Sequence, residues 1–310
     1  MEEKVSKPKK YALFLSGGGA RGSFQVGALK HLIGDLKRNY SIVSGFSIGA
    51  LSGSMIAQDD FLGLLDMWQG VDSFFDVIAG NPRFYKGLLS MKPLRKLLEK
   101  KIDVEKIRES PVEFFFSAVD LQRGINVQLD KNAEPFMDWL LASASLPGVF
   151  PPMEIGGHQY VDGGVLAMKP LAPCIKAGAD VIDVILCAPL TDWSTKQKFD
   201  TIFENIVRSI ELAQTEIIGI DIANCRMINK EVAKWRDVKD EANFIENFVL
   251  WKVERKKKFP LGKLRQIELN IIEPPADIIG VLEISKDKIK KAIDLGYKKA
   301  VDLSLKSNDN

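Results

Sequence analysis

Tyr11-Ala12-Leu13-Phe14-Leu15-Ser16-Gly17-Gly18-Gly19-Ala20-Arg21-Gly22-Ser23-Phe24 decides how this chain folds. Five dense apolar residues stop at Ser16 and three glycines, the pattern of a strand buried on both faces that runs into a tight turn. From Ser23 the spacing changes: Phe24, Val26, Ala28, Leu29, Leu32, Ile33 and Leu36 share one broad helical face, with Lys30, Lys37 and Arg38 elsewhere. Strand, glycine turn and helix open an α/β unit. The unit repeats at once, with Ser41-Ile42-Val43-Ser44 as a second strand, Gly45-Phe46-Ser47-Ile48-Gly49 as its turn and Ala50 to Ala57 as the next helix opening.

Further along, Pro111 to Val119 carries the buried-strand run Phe114-Phe115-Phe116, and Ile125 to Leu129 alternates with period two, as a half-exposed strand does. A helix is expected near Pro135 to Ala144. A hairpin is expected from Met153-Glu154-Ile155 to Gln159-Tyr160-Val161 around Gly156-Gly157-His158. Leu171 to Ala177 reads as a short helix and Val181 to Leu186 as a strong strand. Beyond Pro189 the texture turns helical, with a long amphipathic stretch over Phe199 to Asn224, a strand-like Arg265 to Ile272 and a last helix over Ser285 to Leu305. Strands alternating with helices predict an α/β fold of three layers, α/β/α, around a mainly parallel sheet. No Gly/Ser-rich linker or internal repeat divides the chain, so the expectation is a single domain over 8–305 with flexible termini at 1–7 and 306–310.

Composition narrows the function classes. The chain has 310 residues, 46% of them apolar, with 43 Lys+Arg against 41 Asp+Glu, which supports a real core and excludes disorder. A net charge of +2 lacks the clustered basic excess of a nucleic-acid binder. Three scattered cysteines, Cys174, Cys187 and Cys225, and two histidines, His31 and His158, exclude a disulfide framework and a Cys/His zinc site. The apolar run after the charged opening is shorter than a signal-peptide core of about 7–15 residues. No span approaches the roughly 20 apolar residues that cross a bilayer. The expected location is the reducing cytoplasm, with room for peripheral contact at a membrane surface; export without a cleaved signal stays open, as does the oligomeric state.

Three glycine-rich turns carry the chemistry. Gly17-Gly18-Gly19-Ala20-Arg21-Gly22 satisfies the G-x-G-x-x-G pattern between a strand and a helix, the setting of a dinucleotide site. That site also needs an acidic residue about 20 positions on, where this chain has Ser41 to Ser44. Free amides at a helix start serve an oxyanion equally well. Gly45-Phe46-Ser47-Ile48-Gly49 matches G-x-S-x-G, in which a strained elbow projects a serine hydroxyl; a small-residue helix start capped by Ser44 or Ser47 would read the same. Asp162-Gly163-Gly164 ends a strand with a carboxylate and two glycines, a pattern shared with ordinary Asp-Gly turns. A serine needs a base. His31 falls on the polar side of its helix, and His158, in a turn four residues before Asp162, is the weaker candidate beside a carboxylate.

Taken in order, these three turns resemble the patatin-like phospholipase family, and Ala142-Ser143-Ala144-Ser145-Leu146-Pro147-Gly148-Val149-Phe150-Pro151 is similar to the segment before the Asp-Gly motif in its bacterial members. The resemblance implies a patatin-like fold of modified α/β-hydrolase type and a serine lipid acyl hydrolase without metal or organic cofactor. It implies Ser47 as nucleophile, Asp162 as the base that takes its proton, and the Gly17, Gly18 and Gly19 amides as oxyanion hole. Ala20, Arg21, Gly22, Gly45, Gly49, Gly163 and Gly164 complete the motifs, and Arg21 is expected to brace the first loop. An Asp has an ordinary pKa of about 3.9, so burial against an apolar acyl pocket would be needed to raise it toward a useful base. The elbow departs from many relatives in carrying the bulky Phe46 and Ile48, which bears on pocket size.

The expected partner is a lipid or acyl ester. A stretch rich in apolar residues, from Phe61, Leu62, Leu64, Leu65 and Trp68 through Phe74, Phe75, Val77, Ile78, Phe84 and Tyr85 to Leu88 and Leu89, reads either as a wall over the site or as core. Arg255-Lys256-Lys257-Lys258-Phe259 reads either as a headgroup contact or as a solvated loop. Two other classes stay in play: an NAD(P)-binding oxidoreductase built on the first glycine turn, and a catalytically silent lipid-binding scaffold.

Overall fold

Side-chain parity along the strands sets the layers. In the computed structural model, which describes residues 8–70, 79–80, 88–195, 197–242, 246, 251–252, 264–276 and 278–308, strand β1 (Tyr11–Leu15) points Leu13 and Leu15 to one face and Ala12 and Phe14 to the other. Each set joins a separate core. The first face packs under helices α1 (Gly22–Leu29), α2 (Ile48–Ala57) and α3 (Phe61–Gln69), with α4 (Lys92–Lys101) and α5 (Val104–Glu109) beside them. It also takes α6 (Phe136–Ser143) and α9 (Lys286–Asn308); α7 (Ala172–Lys176) and α8 (Ile202–Glu241) cover the second. The result is the three-layer α/β/α arrangement, driven by two apolar faces that each need a cover.

The strands of the central sheet are β1, β2 (Ile42–Gly45), β3 (Glu113–Asp120), β4 (Ile125–Asp130), β5 (Met153–Ile155), β6 (His158–Asp162), β7 (Val181–Ile185) and β8 (Glu268–Ile272). Their order is β8-β7-β1-β2-β3-β6-β5, with β4 on β3. From β8 to β3 every pair is parallel, and β1, β2 and β7 are buried almost throughout, which explains their unbroken apolar runs. The other pairs, β3 with β4, β3 with β6 and β5 with β6, are antiparallel, so the parallel majority is narrower than the sequence led us to expect.

One edge of β3 is shared. Its first half pairs with β2, Phe116 lying opposite Gly45, and its second half pairs with β6, Ala118 lying opposite Asp162. Because β6 runs the other way, the carboxyl ends of β2 and β6 face each other across two residues of β3.

Several helices differ in extent from the expectation. α1 passes into a π-helical turn over Lys30–Asp35, and α8 continues to Glu241, well past Asn224. α9 continues to Asn308, into the segment expected to be a loose terminus. α1 and α9 cross with backbones in contact: a Cβ on Gly27 would sit 1.9 Å from the Ile293 carbonyl oxygen, and one on Gly296 would sit 2.0 Å from that of Phe24. Among the described residues no helix is long and apolar enough to cross a membrane.

Candidate active site

Three adjacent parallel strands, β7, β1 and β2, end on the same side of the sheet, which is where α/β folds gather their ligands. β1 runs into the loop Ser16 to Ala20. The buried Gln25 side chain donates to the Ser16 carbonyl at 2.9 Å and to that of Ile185 at 3.1 Å, joining this loop to the end of β7. The Cys187 amide donates to Ser16 Oγ at 2.9 Å. Gly19 has φ 56°, and a Cβ there would lie 2.2 Å from the Val281 carbonyl oxygen, so only glycine fits. That same carbonyl accepts from Ala20 N–H at 2.7 Å. Among the described residues the amides of Gly17, Gly18 and Gly19 have no protein acceptor. Gly22 then opens α1.

β2 runs into the elbow. Ser47 sits at φ 56° and ψ −132°, a conformation that costs a non-glycine residue about 1–3 kcal/mol and that persists only where the surroundings enforce it. Two contacts do so. Ser47 N–H donates to the Ser143 carbonyl at 3.0 Å and to Ser143 Oγ at 3.2 Å. On the other side a Cβ on Gly49 would come 2.1 Å from the Leu15 carbonyl oxygen, and one on Gly45 would come 2.7 Å from it, so the flanking glycines let α2 start directly against β1.

β6 delivers Asp162 to the same place. Its N–H donates to the Ser145 carbonyl at 3.0 Å, and its Oδ1 accepts from Gly164 N–H at 2.8 Å. Gly163 lies on β3, where a Cβ would stand 2.2 Å from the Ser117 carbonyl oxygen, and Gly164 leaves space taken by Gln214 and Phe46. Asp162 is fully buried, and its Oδ2 has no hydrogen bond of good geometry. Burial raises its pKa to about 7, against the opposing pull of the Ser47 hydroxyl and the Gly164 amide. A carboxylate ordinarily too acidic for the task thus holds a proton near neutral pH.

Ser47, Asp162 and the Gly17 to Gly19 loop line one cavity of about 160 Å³ with mostly apolar walls. Leu94, Leu97 and Leu98 come from α4, and Val207, Ile210 and Ile218 from α8. Ile48 also lines it, whereas Phe46 does not: Phe46 is buried against Phe14, their ring centroids 6.0 Å apart, and only Ile48 narrows the pocket. Of the stretch read as wall or core, Met67 and Trp68 of α3 line the cavity while Leu64 belongs to the core; Phe74, Phe75, Val77, Ile78, Phe84 and Tyr85 lie outside the described residues, as does Arg255 to Phe259.

Neither histidine reaches the cavity. His31 Nδ1 lies 3.0 Å from Asp35 and its Nε2 lies 3.1 Å from Ser304 Oγ. His158 is at the opposite end of β6 from Asp162, with Nδ1 at 3.0 Å from Asp120. Ser143 and Ser145 were not singled out from the sequence, yet they tie down the two key residues from one short segment. The hint was the stretch Ala142 to Pro151, similar to a family block. Among the described residues no group of three or more His, Cys, Asp or Glu could hold a metal ion.

The patatin-like phospholipase model matches residues 13–175, which contain all three turns. The chain belongs to the patatin-like phospholipase family. It is 27% identical over 179 residues to an uncharacterized NTE family protein of Mycobacterium tuberculosis, covering 57% of this chain and 48% of that one. It is 27% identical over 198 residues to the lysophospholipase NTE1 of Phaeosphaeria nodorum, covering 62% of this chain and 13% of that one. The chain thus spans about half the length, or less, of these relatives. The crystal structure of VipD from Legionella pneumophila aligns over 96% of this chain and 67% of its own, with a TM-score of 0.49 and 15% identity.

Proposed function

We propose that this chain, acting as one domain over residues 8–305, is a serine lipid acyl hydrolase of phospholipase A or lysophospholipase type. Ser47 is its nucleophile, Asp162 its base, and the Gly17, Gly18 and Gly19 amides its oxyanion hole. Ser47 Oγ attacks the ester carbonyl while its proton passes to Asp162, and the charge that forms on the carbonyl oxygen faces amides with no other acceptor. Asp162 then returns the proton to the leaving alcohol. Water, deprotonated in turn by Asp162, attacks the acyl-Ser47 ester, and Asp162 returns that proton to Ser47 Oγ as the fatty acid leaves. No step calls for a metal, an organic cofactor or a histidine.

The observation that carries this reading is a buried carboxylate whose pKa is pushed up to about 7, in contact with a serine held in a strained elbow. The apolar cavity suits an acyl chain, and the relative named a lysophospholipase supports a lysophospholipid or similar single-chain ester. The dinucleotide reading lacks its ribose-binding acid, because β2 ends in Ser44 and Gly45. The working location is the cytoplasm with peripheral contact at lipid surfaces.

The test is release of free fatty acid from lysophosphatidylcholine micelles by the purified chain, followed by mass spectrometry. Wild type should release it and Ser47→Ala should not. Equal release by both would overturn the proposal.

A further inference from the structure

We infer that Glu211 on α8 is a positioning residue for the glycine-loop amides, acting through Arg21. The inference rests on the hydrolase reading above, since it concerns how the proposed oxyanion site is held. Arg21 closes the turn Gly19–Arg21 and splits its guanidinium between two anchors. Nε donates to the Ile279 carbonyl at 2.7 Å, and Nη1 meets the Glu211 carboxylate. The Arg21 and Glu211 side chains are only 13% and 12% exposed.

Glu211 is itself held. One helical turn earlier, Arg208 donates from Nη1 to Glu211 Oε2 at 2.9 Å and from Nη2 to the Trp193 carbonyl. The carboxylate therefore sits between two guanidiniums, on the helix whose Val207, Ile210 and Ile218 form the cavity wall. The glycine loop, the 279–281 segment and α8 converge on one rigid fork.

Stability alone does not account for a charged triad this far removed from solvent, because well-packed apolar residues of similar volume often stabilise a fold as well or better. α8 already buries Val207, Ile218, Ile222 and Val232. The loop has the opposite need. Gly17, Gly18 and Gly19 have no side chains to fix their orientation, and amides aimed at a developing charge lose their effect when their direction wanders. Arg21, two residues after Gly19, is the first side chain able to lock the loop's exit.

The sign of the effect separates positioning from a through-space field. Removing a carboxylate makes the surroundings more positive, which by itself favours an oxyanion and speeds the reaction. Loss of positioning slows it.

The experiment compares wild type, Glu211→Gln, Arg21→Lys and the double variant on a p-nitrophenyl ester. Active sites are counted by fluorophosphonate titration, so that misfolded protein does not enter kcat. Glu211→Gln should lower kcat per titrated site by about tenfold or more with KM changed by no more than about twofold, since the contact acts on transition-state amides and not on the acyl pocket. Affinity for a trifluoromethyl ketone, which forms an oxyanion on Ser47, should fall in step with kcat. Arg21→Lys should behave alike, and the double variant should be little worse than either single one, because the two residues act as a unit. Unchanged or raised kcat per site in Glu211→Gln overturns the inference while leaving the hydrolase reading standing. If Glu211→Gln yields no folded protein, the same readout on Arg21→Lys decides. A folded wild type that neither labels nor turns over ends the hydrolase reading, and this inference with it.

Discussion

Replacing Asp162 by Asn should abolish activity and make the fold more stable, by an amount that depends on pH. The carboxyl is fully buried and its pKa rises from 3.8 to about 7 on folding. The folded state therefore binds this proton more tightly than the unfolded chain does. Wild-type stability falls as pH climbs from near 3.8 and levels off above about 7, where the group is ionised in both states. A shift of about three pKa units corresponds to about 4 kcal/mol at the plateau, at about 1.4 kcal/mol per unit. Asn escapes this cost, and its Oδ1 can still accept from the Gly164 amide, 2.8 Å from the present oxygen. Urea unfolding followed by circular dichroism should show the variant more stable by about 2 kcal/mol at pH 5 and about 4 kcal/mol at pH 8. In the same pH range wild-type kcat/KM should rise about tenfold per unit until about pH 7 and then flatten, as the base becomes ionised. A variant no more stable than wild type at pH 8, or a difference that does not grow from pH 5 to 8, would refute the claim that burial raises this carboxyl.

Three further outcomes follow from other contacts. His158→Ala should keep turnover within about threefold of wild type, because its ring pairs with Asp120 away from the cavity; a loss of several orders of magnitude, measured on a p-nitrophenyl ester, would assign the base to histidine. Gly19→Ala forces a Cβ to within 2.2 Å of the Val281 carbonyl at φ 56°, so urea unfolding should show a loss of more than about 1 kcal/mol, with hydrolysis near background. Ser143→Ala removes one of two acceptors for the Ser47 amide, which should cost about 1 kcal/mol in stability and lower kcat several-fold with KM unchanged; an unaltered kcat would show that the Ser143 carbonyl alone holds the elbow.

What the sequence disclosed was whatever is written locally. The unbroken apolar runs of β1, β2 and β7 reveal strands covered on both faces, and the glycines around Ser47 reveal a backbone that must pass close to another. Pairings distant along the chain were hidden. The hairpin was visible, but nothing local says that β6 docks antiparallel on the edge of β3 that β2 leaves free, and this docking is what brings Asp162 to Ser47. Closeness in sequence does not place His158 beside Asp162: four residues along an extended strand span about 13 Å, which carries it to the far end of β6. Glu211 gave no signal, since a glutamate in a long amphipathic helix looks like any solvated one until Arg21 is seen beside it. Phe46 and Ile48 looked alike as bulky elbow residues, and only the turn of the backbone between them sends one into the core and the other into the cavity.

A single serine, activated by a carboxylate without help from histidine, carries the acyl group in this proposal. Incubation of wild type, His31→Ala/His158→Ala and Asp162→Asn with a fluorophosphonate, followed by peptide mapping, is the decisive test. One adduct is expected, on Ser47, forming at a similar rate in wild type and the double histidine variant and at a rate reduced by about a hundredfold or more in Asp162→Asn. An adduct on another residue, or labelling that survives loss of Asp162 and vanishes with the histidines, would contradict it.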